Sequence, residues 1–97
     1  MSELTIAPMA VNDLKNIGRY TEKNWGKKQR NAYLENFATL FEKMRTGKVA
    51  GRNRDTVQQG LLCYPCQKHL VFYKKDTGGS VDILRILHQS MDFDRHL

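Results

Sequence analysis

Val81-Asp82-Ile83-Leu84-Arg85-Ile86-Leu87-His88 is the stretch on which the fold turns. Five of its eight residues are branched aliphatics, and a short apolar run behind a cluster of turn residues predicts a strand. Strict alternation puts Val81, Ile83 and Leu87 on one face and Leu84 and Ile86 on the other. A strand that is apolar on both faces must be covered on both. Arg85 stands among the first set, where an isolated charge either pairs or looks out into a groove, because burying it alone is costly.

Upstream, Asp76-Thr77-Gly78-Gly79-Ser80 reads as a turn, and Lys68 to Lys75 and Leu61 to Tyr64 flank Pro65. Three strands joined by two hairpin turns result. Gly47 to Gly60 is polar, with glycine at 47, 51 and 60, and reads as a mobile surface connection. Before it, Tyr33, Phe37, Leu40, Phe41 and Met44 recur at helical spacing and predict a helix from about Lys27 that Gly47 closes. This stripe is read as core rather than as a cofactor box.

Ala10, Leu14, Ile17 and Thr21 predict a first amphipathic helix from Pro8 to near Asn24, with Gly26 turning the chain after Trp25. Pro8 suits a first helical turn, although Ala7 is a poor cap. Leu4 and Ile6, alternating with Thr5, predict an opening strand over Glu3 to Ala7. The predicted order is β-α-α-β-β-β, an α+β fold whose antiparallel sheet is packed on one face by a two-helix hairpin. Only Gln89 to Leu97 remains for the second face, so an apolar groove there is expected to lie open to a partner.

At 97 residues and 40% hydrophobic the chain suits one domain over residues 1–97, with nearly every large apolar residue needed for one core. The apolar runs are too short for a membrane span and the first thirty residues hold no secretory signal, so no membrane association is expected. Cys63 and Cys66 are too few for a disulfide framework, and a reduced, cytoplasmic protein is the expectation. The formal charge of +6 is uneven. Lys15 to Arg30 holds six cations against Glu22 alone, and Lys43 to Arg54 holds five and no acid. Such stretches are either solvated faces or surfaces that steer phosphates or an acidic partner.

Specific residues can be laid on this order. Asp13-Leu14, Ile17, Tyr20-Thr21, Trp25-Gly26, then His69 to Tyr73 (HLVFY) and finally Arg85-Ile86-Leu87-His88 with Met91-Asp92 and Leu97 resemble the ParE family, within the RelE/ParE superfamily of bacterial toxins. The resemblance covers nearly the whole chain, and the closing RILHxxMD stretch is its most specific part. It implies a toxin neutralised by a ParD-like antitoxin encoded beside it, in a hetero-oligomer, and acting on DNA gyrase. It also implies that direct DNA binding falls to the partner.

Relatives resembling RelE cut messenger RNA on the ribosome, which keeps a metal-free nuclease open as the alternative. That reaction needs a base, an acid and a cation for the phosphorane. Arg85 and His88 are the available pair, and they converge only if the strand ends or bulges near Leu87. Tyr64 or Tyr73 are further acid or base candidates and Lys68, Lys74 and Lys75 are phosphate contacts, yet residues 50–97 net only +2. His88 has a structural reading as well, bonded to a carbonyl or to Asp92 and orienting the tail. No catalytic residue is assigned in the primary reading, which places the target-binding surface on Arg85, His88, Met91 and Phe93. Tyr20, Trp25 and Tyr73 are assigned to antitoxin contact or to structure.

Cys63, Cys66 and His69 spell C-x2-C-x2-H, but His88 and His96 are the only other histidines and the motif spans a predicted hairpin turn. Neither a metal nor a cofactor is expected. The tail, with Met91, Phe93 and Leu97, either packs back on the sheet or offers partner anchors.

Overall fold

The computed structural model describes residues 3–91 and 93–97, with the backbone alone at Phe93 and Asp94. The element order is β1 (Leu4–Ile6), α1 (Pro8–Trp25), α2 (Lys27–Arg45), β2 (Arg52–Asn53), β3 (Leu62–Cys66), β4 (His69–Lys75), β5 (Val81–His88) and a short α3 (Phe93–His96). Pro8 opens α1, where a missing N–H is harmless. Ala10, Ile17, Gly18 and Thr21 form its buried face, and the Thr21 hydroxyl donates to the Ile17 carbonyl at 2.7 Å. Gly26, at φ +90, joins the helices alone. Its N–H donates to the Glu22 carbonyl at 2.9 Å, and its own carbonyl accepts from Arg30 at 3.0 Å. A side chain there would be strained, so glycine fixes the antiparallel hairpin.

The sheet order is β1-β5-β4-β3-β2. β2 to β5 form an antiparallel meander, whereas β1 lies parallel to β5 with Leu4, Thr5 and Ile6 opposite Val81, Asp82 and Ile83. The sheet is therefore mixed rather than antiparallel throughout, and β2 is a further short strand. β1 covers three residues of β5's edge, through Val81 N–H to the Glu3 carbonyl and Ala7 N–H to the Ile83 carbonyl, each 2.8 Å. Pro65 lies inside β3, opposite Leu70, next to the Cys66–His69 pair that flanks the turn. Alternation there aims its nitrogen away from β4, toward an edge where no ladder donor is required.

A register shift between Phe72 and Tyr73 changes the reading of β5. Tyr73 pairs with Ile83 and Phe72 with Arg85, which leaves Leu84 as the extra residue. Such a bulge inverts the alternation downstream. Val81, Ile83 and Ile86 consequently join Phe37, Leu40, Phe41, Met44, Val71 and Tyr73 under the helices. Leu87 packs instead with Leu61, Cys63, Phe72 and Leu84 on the opposite face. The expected grouping of Leu87 with Val81 and Ile83 is thus corrected.

That opposite face is also closed. Phe72 and Leu61 are fully buried and Leu87 is 1% exposed, with Val57 and Leu97 packed against them. The cover is a loop that turns back on itself, with Val57 N–H and Gln58 N–H donating to the Arg54 carbonyl and Arg54 N–H to the Leu61 carbonyl. The expectation of an open groove on this face is therefore overturned. The segment read as a mobile connection carries Val57, and burying it together with Leu61 just beyond the segment, each worth about 1.5–3 kcal/mol, folds the loop over the sheet.

Candidate functional site

Asp13 sits on the flank of α1 where β1 has ended and β5 has an open edge. Its Oδ2 accepts from Arg85 Nε at 2.8 Å and from the Ile86 backbone N–H at 2.9 Å, and its Oδ1 accepts from a second Arg85 nitrogen at 3.0 Å. The side chains are 14% and 11% exposed. Arg85 also donates to the His96 carbonyl at 3.0 Å. The Asp13 carboxylate raises the guanidinium pKa further against the opposing effect of burial. Arg85 is thus a structural clamp joining α1, β5 and α3 rather than a free cation over a groove, which departs from its expected place on a target-binding surface.

His88 is turned the other way. Residues three apart on a strand face opposite sides, and the bulge at Leu84 lies before both. Its Nδ1 is 2.7 Å from Ser90 Oγ and accepts from the Ser90 N–H at 3.2 Å, and its ring stands edge-on to His69 at 5.3 Å. The acid/base pair of the nuclease alternative is not assembled. Asp92, the other suggested partner of His88, and the Phe93 side chain lie outside the described residues.

His88 instead lines a cleft of about 590 Å³ at the end of the helical hairpin, with Tyr20, Trp25, Tyr33, His69 and Met91. Tyr20 and Trp25 are 68% and 72% exposed and Met91 44%, an apolar cluster that the sequence reading assigned to partners. Tyr73, grouped with them, is in the core and 2% exposed, its hydroxyl hydrogen-bonded to the Gly51 backbone. It offers no surface to an antitoxin, because its strand position follows the helix-facing alternation.

The cleft floor is held by the β3–β4 turn. Gln67 takes φ +58, which costs a non-glycine residue on the order of 1 kcal/mol. Its side chain offsets this by donating to the Tyr33 carbonyl at 3.0 Å and accepting from Asn36 at 2.9 Å. Lys68 N–H reaches the Tyr33 hydroxyl at 3.4 Å, which lies 3.1 Å from His69 Nδ1. Burial, then the neighbouring His88, lowers the His69 pKa to about 4, opposed by Asp13. Burial raises that of Tyr33. His69 is neutral at pH 7.

Cys63 and Cys66, three apart on β3, fall in the two opposite clusters, and burial raises both thiol pKa values. Among the described residues no group of three His, Cys, Asp or Glu is placed to hold a metal. No described helix is long and apolar enough to cross a membrane. Asp13, Tyr33 and His69 were missed as site residues. For Asp13 the signal was an acid flanking the apolar stripe of Ala10, Leu14 and Ile17, whereas Tyr33 was read as part of the core stripe and His69 was weighed only as a metal ligand.

A helical hairpin laid on a five-stranded mixed sheet is the fold of toxin chains from type II toxin–antitoxin modules. It is shared with the chromosomal ParDE system from P. aeruginosa, at TM-score 0.76 and 17% identity over 91% of this chain and 96% of that one. The RelBE2 toxin–antitoxin complex from Mycobacterium tuberculosis gives 0.57 at 19% identity over 91% and 98%. Residues 4–93 match the model of the ParE toxin of the type II toxin–antitoxin system parDE. Toxin ParE1 of M. tuberculosis is 30% identical over 96 residues, 99% of this chain and 98% of the relative. Toxin ParE1 of Caulobacter vibrioides is 30% identical over 97 residues, 100% and 99% respectively. The chain belongs to the ParE toxin family.

Proposed function

We propose that this toxin acts by binding DNA gyrase, without chemistry of its own, and is silenced by a cognate ParD-like antitoxin that docks on the hairpin cleft. The observation that carries the reading is the Arg85–Asp13 clamp: the cation that RNA cleavage would require is spent on a carboxylate, and His88 faces another surface. Two systems of the same fold are described as ParDE and RelBE toxin–antitoxin pairs, which favours an antitoxin partner. Exposed Trp25, Tyr20 and Met91 supply the aromatic and thioether anchors that interface centres favour. The setting is the cytoplasm, where gyrase and antitoxin are found together.

The test adds purified protein to a gyrase supercoiling assay and to a translating ribosome extract. Supercoiling should be inhibited, messenger RNA should remain whole, and equimolar antitoxin should restore supercoiling. Messenger cleavage at the ribosomal A site with supercoiling untouched would overturn the reading.

A further inference from the structure

The cleft has a defined hydrogen-bonding polarity. The Tyr33 hydroxyl oxygen accepts the Lys68 N–H at 3.4 Å and lies 3.1 Å from His69 Nδ1, to which its own proton can be donated. The Ser90 N–H likewise points at His88 Nδ1. His88 Nδ1 is therefore an acceptor, which puts its ring proton on Nε2, and His69 takes the same tautomer when Tyr33 donates to its Nδ1. Neither Nε2 has a partner among the described residues, and neither is sealed from solvent. The one buried side-chain nitrogen without a partner among those residues is Nε of Arg54. Two Nε2 atoms, on rings whose centroids are 5.3 Å apart, thus stand without a partner among the described residues in one cleft. Lys68 is among the lining residues, and among the described residues no carboxylate lines the space.

We propose that the cleft is a carboxylate-recognition site for a peptide. An acidic side chain of the partner accepts from Nε2–H of His69 and His88 near Lys68, while a neighbouring large apolar side chain packs against Ile17, Tyr20, Trp25 and Met91. The volume of about 590 Å³ is in the range of pockets that enclose one such group. N–H donors in a half-buried setting favour an acceptor-only group such as a carboxylate. Lys68 is the one Lys or Arg among the described lining residues, which favours a singly charged peptide carboxylate over the phosphates of a nucleotide. The inference deepens the antitoxin reading and rests on it only for the identity of the partner.

The first probe is 3-phenylpropionate, with its uncharged amide as control. Trp25 is the only tryptophan, so its emission reports the cleft directly. The acid should bind with millimolar affinity, shift both histidine ring resonances, and bind at least fivefold more tightly than the amide. His88→Phe should remove that preference, and His88→Gln, which keeps a donor near Nε2, should retain it. Equal binding of acid and amide, no response at millimolar acid, or ring-nitrogen shifts that place the protons on Nδ1 would each overturn the site. The second probe is the antitoxin. A complex of normal affinity that leaves Trp25 and both imidazoles unperturbed would overturn the site and leave the toxin–antitoxin reading standing. Retained acid preference with no antitoxin complex would do the reverse.

Discussion

Asp13→Ala tests the frame on which the site depends. The carboxylate accepts three hydrogen bonds, two from Arg85 and one from the Ile86 N–H at the exposed edge of β5. Breaking a buried pair by removing one partner costs about 3–5 kcal/mol. At 14% and 11% exposure, beside a sheet edge, the lower end applies, and the orphaned backbone N–H adds about 1 kcal/mol. The sum, roughly 3–4 kcal/mol, is a large part of the 5–15 kcal/mol typical of a domain. At about 4–8 °C per kcal/mol for this size, the melting temperature should fall by roughly 15 °C or more. Asp13→Asn, which keeps one acceptor oxygen, should lose about half as much. Urea denaturation of Asp13→Ala, Arg85→Met and the double variant gives the coupling energy, expected at about 2 kcal/mol or more. A cost below about 1 kcal/mol, with additive singles, would mean an ordinary surface ion pair. It would also reopen Arg85 as a free cation.

Two further outcomes are expected. His69 stays neutral in the fold down to about pH 4 but is protonated below 6.5 once unfolded, so its contribution is complete above 6.5 and is lost as pH falls toward 4. The slope is up to about 1.4 kcal/mol per pH unit and the total, discounted for partial solvent access, about 2 kcal/mol; urea melts across this window should show the decline, and His69→Gln should flatten it. A Cβ at Gly51 would lie 2.4 Å from the Tyr73 hydroxyl oxygen, so Gly51→Ala should cost about 1–3 kcal/mol in denaturant titrations, with Tyr73→Phe in the same chain recovering part of it.

The helical pair was legible because period and burial coincide: Phe37, Leu40, Phe41 and Met44, taken from spacing, are all buried. The last strand was legible as a strand but not in its facing. A one-residue bulge leaves composition unchanged and is set by pairing with β4, which no local pattern reports. Val57 was passed over because a polar, glycine-bearing segment reads as surface, although Leu61, four residues on, was read as the start of the next strand. An apolar residue that close to a strand start was the sign that the segment folds back. Tyr20, Trp25 and Met91, which the sequence reading proposed for partner contact, are exposed, while Tyr73 is in the core, since an aromatic on a strand gives no clue to which face it joins. The tautomers of His69 and His88 depend on contacts from Tyr33 and Ser90, and the first of these is 36 residues away.

Closure of the second sheet face moves the apolar surface available to a partner. With Phe72, Leu61 and Leu87 buried, an incoming segment would have to displace the 54–61 loop to reach them. At Tyr20, Trp25 and Met91 it meets surface that is already exposed, so docking there adds burial without first undoing any. The location also constrains the tail. Ser90 and Met91 follow the strand end that His88 fixes, and Arg85 holds the His96 carbonyl beyond them. A partner seated in the cleft therefore presses on a segment tied at both ends by β5, one tie on the cleft side and the other through Asp13 to α1. If a cleft ligand shifts that segment, its binding is linked to the Arg85–Asp13 contact through β5, and linkage of this kind is reciprocal. A change that loosens Arg85 from Asp13 should weaken a cleft ligand that Arg85 never touches.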